Sequence, residues 1–230
     1  MPNGGIPWKR LAAEAVVIVA SVYLAIVLEG NAQAGERAEE ARAALAQLRD
    51  ELREDRADIG DVRAEQEALS GHYVALLDWF GEPASMPGDS VQVSLDHVVN
   101  SNRTMFPRSS AWTTMVASGQ LTELGDPALV TRLGNLYENI NPRLIYNGEY
   151  FDSDLSVLAF GSIVSIWDFH AGRLLTRDVG ALAEFRNRLR AMYHAWNQYY
   201  LALLDEYEAE VEGSITAVSE HLEDSGWESP

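Results

Sequence analysis

From Ala34 to Phe80 the apolar positions recur at alternating spacings of four and three. The series runs Ala34, Ala38, Ala41, Leu45, Leu48, Leu52, Asp55, Ile59, Val62, Gln66, Leu69, Tyr73, Leu76 and Phe80, with Arg, Glu and Asp filling the positions between. A 3.5-residue period sustained over nearly seven heptads predicts one long amphipathic helix with a coiled-coil-like seam. Asp55 and Gln66 interrupt that seam as polar register positions. Gly81-Glu82-Pro83 ends the helix, and the Pro/Gly/Ser stretch to Gly88 reads as a loop.

Ahead of this helix lies a different pattern. Leu11 to Leu28 is apolar except for Glu14, Ser21 and Tyr23. Eighteen residues at about 1.5 Å each give roughly 27 Å of helix, close to the roughly 30 Å of a bilayer's hydrocarbon core. Trp8, Lys9 and Arg10 flank it on one side, and Glu29, Glu36, Glu39 and Glu40 follow on the other. The positive-inside bias then puts the N-terminus in the cytoplasm and the body across the membrane. Trp8, Lys9, Arg10, Glu14, Ser21 and Tyr23 are the expected anchor residues. A cleaved signal peptide ending at Ala32-Gln33-Ala34 is the rival reading. The helical repeat starting at Ala34 favours one helix running straight out of a retained anchor.

Beyond the loop the pattern predicts a series of helices. Asp89 or Ser90 caps a short one through Val99, and Asn100 to Pro107 reads as loop. Ser109 or Ser110 opens a helix that closes at Gly119. Asp126-Pro127 joins an N-cap to a proline at the first helical position, and Pro142 kinks or breaks the helix that follows. Leu155 to Trp167, thirteen apolar-leaning residues, reads as a buried core helix within the run Leu144 to Leu175. The last helix starts near Asp178 and reaches about Leu222, with a seam of Leu182, Phe185, Leu189, Met192, Trp196, Tyr199 and Leu203 and a stutter beyond it. No segment alternates as a strand, so the fold class is all-α. The parts are a cytoplasmic N-terminus (1–10), a transmembrane helix (11–30), a long amphipathic helix (31–80) and the rest of an antiparallel periplasmic helical bundle (81–230).

Charge narrows the functions. The 230 residues carry 35 acidic and 17 basic side chains, a net charge of −18. Nucleic-acid binding needs a surplus of Lys and Arg to neutralise phosphates, so that class is excluded. The absence of cysteine excludes disulfides, thiolate metal sites and cysteine nucleophiles. The five histidines, His72, His97, His170, His194 and His221, show no metal-binding spacing, and no GxSxG or glycine-rich phosphate loop occurs. Asp168 and His170 lie two apart, a spacing that does not face on a helix. Trp196, Tyr199, Tyr200 and Tyr207 sit at helical spacing, which is the pattern of core before that of a ligand pocket. The sequence thus predicts no enzyme, no catalytic or metal site and no cofactor.

One stretch is more distinctive, Ala111 to Ile140. Its Thr113, Thr114, Met115, Ser118, Gly119, Leu121, Asp126, Leu129 and Tyr137, set behind an N-terminal membrane helix and a charged helical repeat, resemble a family of uncharacterised bacterial single-pass membrane-anchored helical proteins. The resemblance implies architecture and no activity. The expected role is that of an accessory subunit of the bacterial inner membrane, its C-terminal domain periplasmic, docking on other membrane subunits of a respiratory, photosynthetic, transport or envelope complex. Homodimerisation is the other partner expected, and a periplasmic ligand-binding or sensory bundle acting through a separate partner is the alternative function. Two faces suit such contacts: the membrane helix itself, and the membrane-proximal seam Ala34, Ala38, Ala41, Leu45, Leu48 and Leu52, which either this chain or another must cover.

Overall fold

A computed structural model describes residues 8–81, 88–100, 103–157, 161 and 163–226, with side chains from Val19 onward except at Ile26 and at 154–157. The first helix, α1, runs unbroken from Trp8 to Gly81, 74 residues. Its seam supplies the core. Ala41, Leu45, Leu48, Leu52, Ile59, Val62, Leu69, Tyr73 and Leu76 are buried, together with the polar Asp55 and Gln66. Trp79 is buried too, while Phe80 is only partly covered. The described residues before Ala41 are exposed, apart from the half-covered Ala38.

The covering helices belong to the same chain. They are α2 (Gly88–Asn100), α3 (Ser110–Ser118), α4 (Pro127–Asn135), α5 (Asn141–Val157), α6 (Val179–His194) and α7 (Leu201–Asp224). The C-terminal helices run antiparallel to α1, as their cross-contacts show. Arg56 pairs with Glu212, Arg63 with Asp205, Ser70 with Asn197, and the Tyr73 ring meets Tyr193, so α1 ascends as α7 and α6 descend. The protein is all-α, with one small β-hairpin among the described residues: β1 (Trp167–Asp168) pairs antiparallel with β2 (Arg173–Leu174).

Local signals set most boundaries. Gly119 takes the left-handed conformation (φ 76°) and its N–H returns to the Met115 and Val116 carbonyls, closing α3. Asp126 accepts from the N–H groups of Ala128 and Leu129 ahead of Pro127, opening α4. Between them, Gln120–Leu124 is a 3₁₀ turn.

Three expectations need correction. Pro142 does not break the helix: α4, a π turn over Leu136–Ile140 and α5 follow without a gap, and the π turn that ends just before Pro142 is the one departure from the α pattern there. Leu155 to Trp167 is not one core helix. α5 ends at Val157, Ile163–Ser165 is a 3₁₀ turn and Trp167 begins the hairpin; residues 158–160 and 162 lie outside the described set. The seam of the last helix also shifts by one. A π turn over Ala195–Tyr200 adds a residue to the repeat, so Tyr200 is buried and Tyr199 is 51% exposed.

Among the described residues no helix is long and apolar enough to cross a membrane. The expected span, Leu11 to Leu28, is only partly within that set, since the side chains of 11–18 and of Ile26 lie outside it, as do those of Trp8, Lys9 and Arg10 before it. The expected loop after Gly81 likewise falls mostly on residues 82–87, outside the described residues.

Candidate functional site

The polar seam positions of α1 organise the centre of the molecule. Residues 103–109 cross between α1 and the later helices as an extended strap. Gln66 Nε2 donates to the Arg103 carbonyl at 2.9 Å. The Met105 N–H donates to the Tyr200 hydroxyl at 2.7 Å, and the Thr104 hydroxyl reaches Asp152 at 3.4 Å. A Cβ on Gly148 would stand 3.2 Å from that of Thr104, so glycine lets α5 approach the strap.

Asp55 is the firmest grip. Its fully buried carboxylate accepts from the Arg108 N–H at 3.2 Å, from Arg108 Nη1 at 2.7 Å and from the Tyr207 hydroxyl at 2.7 Å. Arg108 also meets Asp58 at 2.8 Å and Glu54 at 2.9 Å. Burial raises the Asp55 pKa above the ordinary carboxylate range, although the donors Tyr207 and Arg108 work against the shift. One turn earlier, Glu51 accepts from the Ser110 hydroxyl and from the Ala111 N–H at 3.1 Å. It caps α3 from another helix, because Ser109 makes no side-chain cap.

Next to this network, the Trp112 ring stacks on Tyr137 at 5.0 Å, and its Nε1–H donates to Glu138 at 2.9 Å. Burial pushes up the pKa values of Tyr137 and Tyr207, with the Asp55 charge adding to both, and burial also raises Tyr73. Tyr200 is pushed up to about 12 by burial. Unfolded tyrosines ionise near pH 10, so each raised pKa removes stability as pH rises beyond that point. In an alkaline titration followed at 295 nm, these four phenols are expected to ionise only together with the loss of helical ellipticity. Ionisation of all nine tyrosines before any ellipticity is lost would contradict this assignment.

The remaining candidates separate clearly. Of the expected anchor residues, Ser21 and Tyr23 are exposed. Of the expected partner face, Ala41, Leu45, Leu48 and Leu52 are buried beneath this chain's own helices; Ala34 is exposed and Ala38 half-covered. The seam's cover is therefore internal from Ala41 onward. Trp196, Tyr200 and Phe151 pack ring on ring at 4.7–5.4 Å within the core.

His72 and His97, far apart in sequence, stack at 4.2 Å between α1 and α2, with His72 Nδ1 3.1 Å from the Ser94 hydroxyl. Burial and the neighbouring His97 lower the His72 pKa. Asp168 does not serve His170 as a carboxylate–imidazole pair; it accepts from the N–H groups of His170 and Ala171 and shapes the hairpin turn. Among the described residues no three His, Asp or Glu side chains are placed to hold a metal ion.

Sequence reasoning found Asp55 and Gln66 as seam interruptions but missed Glu51, Arg108 and the strap. The only local signal for the strap was the polar residue where a heptad wanted an apolar one.

The fold is thus an all-α assembly in which one very long helix carries both the core and an uncovered apolar extension. The chain belongs to a family of unknown function, DUF6090, which matches residues 14–194. No curated protein and no solved structure matches it.

Proposed function

We propose that the protein is a non-catalytic, membrane-anchored accessory subunit of a bacterial inner-membrane complex. Residues 11–28 cross the bilayer, the N-terminus is cytoplasmic and the helical body is periplasmic. The observation that carries this reading is the uncovered apolar stretch of α1. Val19 is 68% exposed, Val22 54%, Leu24 58% and Leu28 60%, on the same unbroken helix that forms the core from Ala41 onward. Apolar surface left in water costs about 25 cal/mol per Å², and lipid tails or a neighbouring membrane helix remove that cost. Lys9 and Arg10 before the span set its orientation. Continuity of α1 through Ala32–Gly35 supports a retained anchor over a cleaved leader, as does a family match that takes in both this segment and the body.

The test is fractionation of native membranes carrying a C-terminally tagged chain. The full-length protein is expected to stay in the pellet after an alkaline carbonate wash. After mild-detergent extraction it should migrate on a native gel within a larger assembly of fixed composition. A chain lacking residues 1–30 should be soluble with its body's helicity intact. Release of the full chain by carbonate would overturn the anchor, and migration as a lone chain would overturn the accessory role.

A further inference from the structure

At the end of α1 remote from its exposed stretch, Trp79 and Phe80 meet α6 and the β-hairpin around a cavity of about 200 Å³. Leu174, Val179 and Leu182 complete apolar walls. The aromatic side is braced: Trp79 meets Phe80 edge-on at 4.8 Å and Trp167 at 6.0 Å, and Phe80 packs on Phe185 at 5.4 Å. Braced rings hold the space open, where flexible side chains would close over it.

One cation lines this apolar space. Arg186 is half-buried, and its Nε is fully buried with no hydrogen-bond partner. Among the described residues it has no ion pair either. The carboxylate nearest in sequence, Glu184, is engaged with Arg188 at 2.9 Å. Guanidinium groups elsewhere between the helices are answered: Arg63 by Asp205 and Glu208, Arg108 by Asp55, Arg143 by Glu206. Arg49 Nε is likewise buried without a hydrogen bond, but it lies 3.5 Å from Asp50, whereas Arg186 has no carboxylate at that range among the described residues. Arg186 lines the cavity as a cation without a carboxylate partner, and an anionic oxygen brought by a ligand would supply one in a charge-assisted bond.

We infer that this cavity binds a small organic anion, with an apolar body in the Trp79–Leu182 space and a carboxylate on Arg186. The volume limits the body to a single ring or a short branched chain, since drug-sized ligands occupy about 300–1,000 Å³. The site is independent of the membrane reading, because none of its walls comes from the exposed stretch of α1.

The test uses the full chain in detergent, with 3-phenylpropionate and its neutral amide as probes, read by tryptophan emission and titration calorimetry. The carboxylate is expected to bind saturably and at least ten-fold more tightly than the amide. Arg186→Gln should remove that preference, and Leu182→Trp should fill the cavity and abolish binding of both probes, with circular dichroism unchanged in each variant. Equal binding of the amide, carboxylate binding that survives Arg186→Gln, or the lack of any saturable binding would each overturn the inference.

Discussion

A chain carrying Leu45→Asp and Leu48→Asp is expected to have no folded body at neutral pH. Both leucines are fully buried in the seam of α1, covered by helices of the same chain. Truncating a buried leucine costs about 2–5 kcal/mol, and placing an unpaired carboxylate in the site adds several more per ion. Two such sites exceed the roughly 5–15 kcal/mol that holds a typical domain together. Circular dichroism and limited proteolysis read the result. Ala34→Asp is the matched control: Ala34 is exposed on the same helix, so helicity should not change. A folded double variant would mean that the seam is covered by something other than this chain.

The second large effect is expected at Asp55. Asp55→Ala deprives the Tyr207 hydroxyl and the Arg108 N–H of their shared acceptor, and it removes the buried one of the strap's grips on α1 while Gln66 keeps its own. Leaving such donors unsatisfied costs about 1–3 kcal/mol each, so a loss of about 2–6 kcal/mol is expected from denaturant unfolding. Arg108 keeps Glu54 and Asp58, which limits the damage on its exposed side.

The pH dependence has a definite sign. Burial raises the Asp55 pKa in the fold, so the folded state holds that proton where the unfolded state has released it. The native protein therefore loses stability as pH rises from the ordinary carboxylate value through the raised one. The gap between the native protein and Asp55→Ala should consequently be widest on the acid side of that window and narrower above it. A gap that narrows as pH falls would contradict the direction assigned to Asp55.

Much of this architecture is legible in the sequence wherever the cause is local. The four-three spacing of Leu45, Leu48, Leu52, Ile59 and Val62 names the buried face of α1, and Gly119 and Asp126-Pro127 each set a boundary with their own backbone chemistry. What sequence reading misses has remote causes. Glu51 caps a helix that begins 59 residues later, and Ser109, the cap that local rules select, makes no side-chain bond. The strap has no periodicity of its own; its order comes from Gln66, Asp55 and Tyr200 on two other helices. The π turn at Ala195–Tyr200 displaces the seam by one residue, so a strict heptad selects Tyr199 in place of Tyr200. The apolar run to Trp167 suggested a helix, whereas Asp168 and Gly172 (φ 59°) favour a hairpin just beyond it. The Trp79–Arg186 cavity joins residues from α1, α6 and the hairpin, and no short-range pattern relates them.

Because α1 is a single helix, the number of residues between Leu28 and Ala41 fixes the compass bearing of the body about the helix axis as well as its height. Each residue inserted there turns everything after Ala41 by about 100° and lifts it by about 1.5 Å. One added residue would turn α7, with Asp205, Glu206 and Glu208, to a different side relative to the apolar stretch. Seven would restore its bearing to within about 20°, only about 10 Å higher. The exposed, charged stretch from Glu29 to Glu40 thus acts as a gauge, and its length matters more than the identity of its side chains.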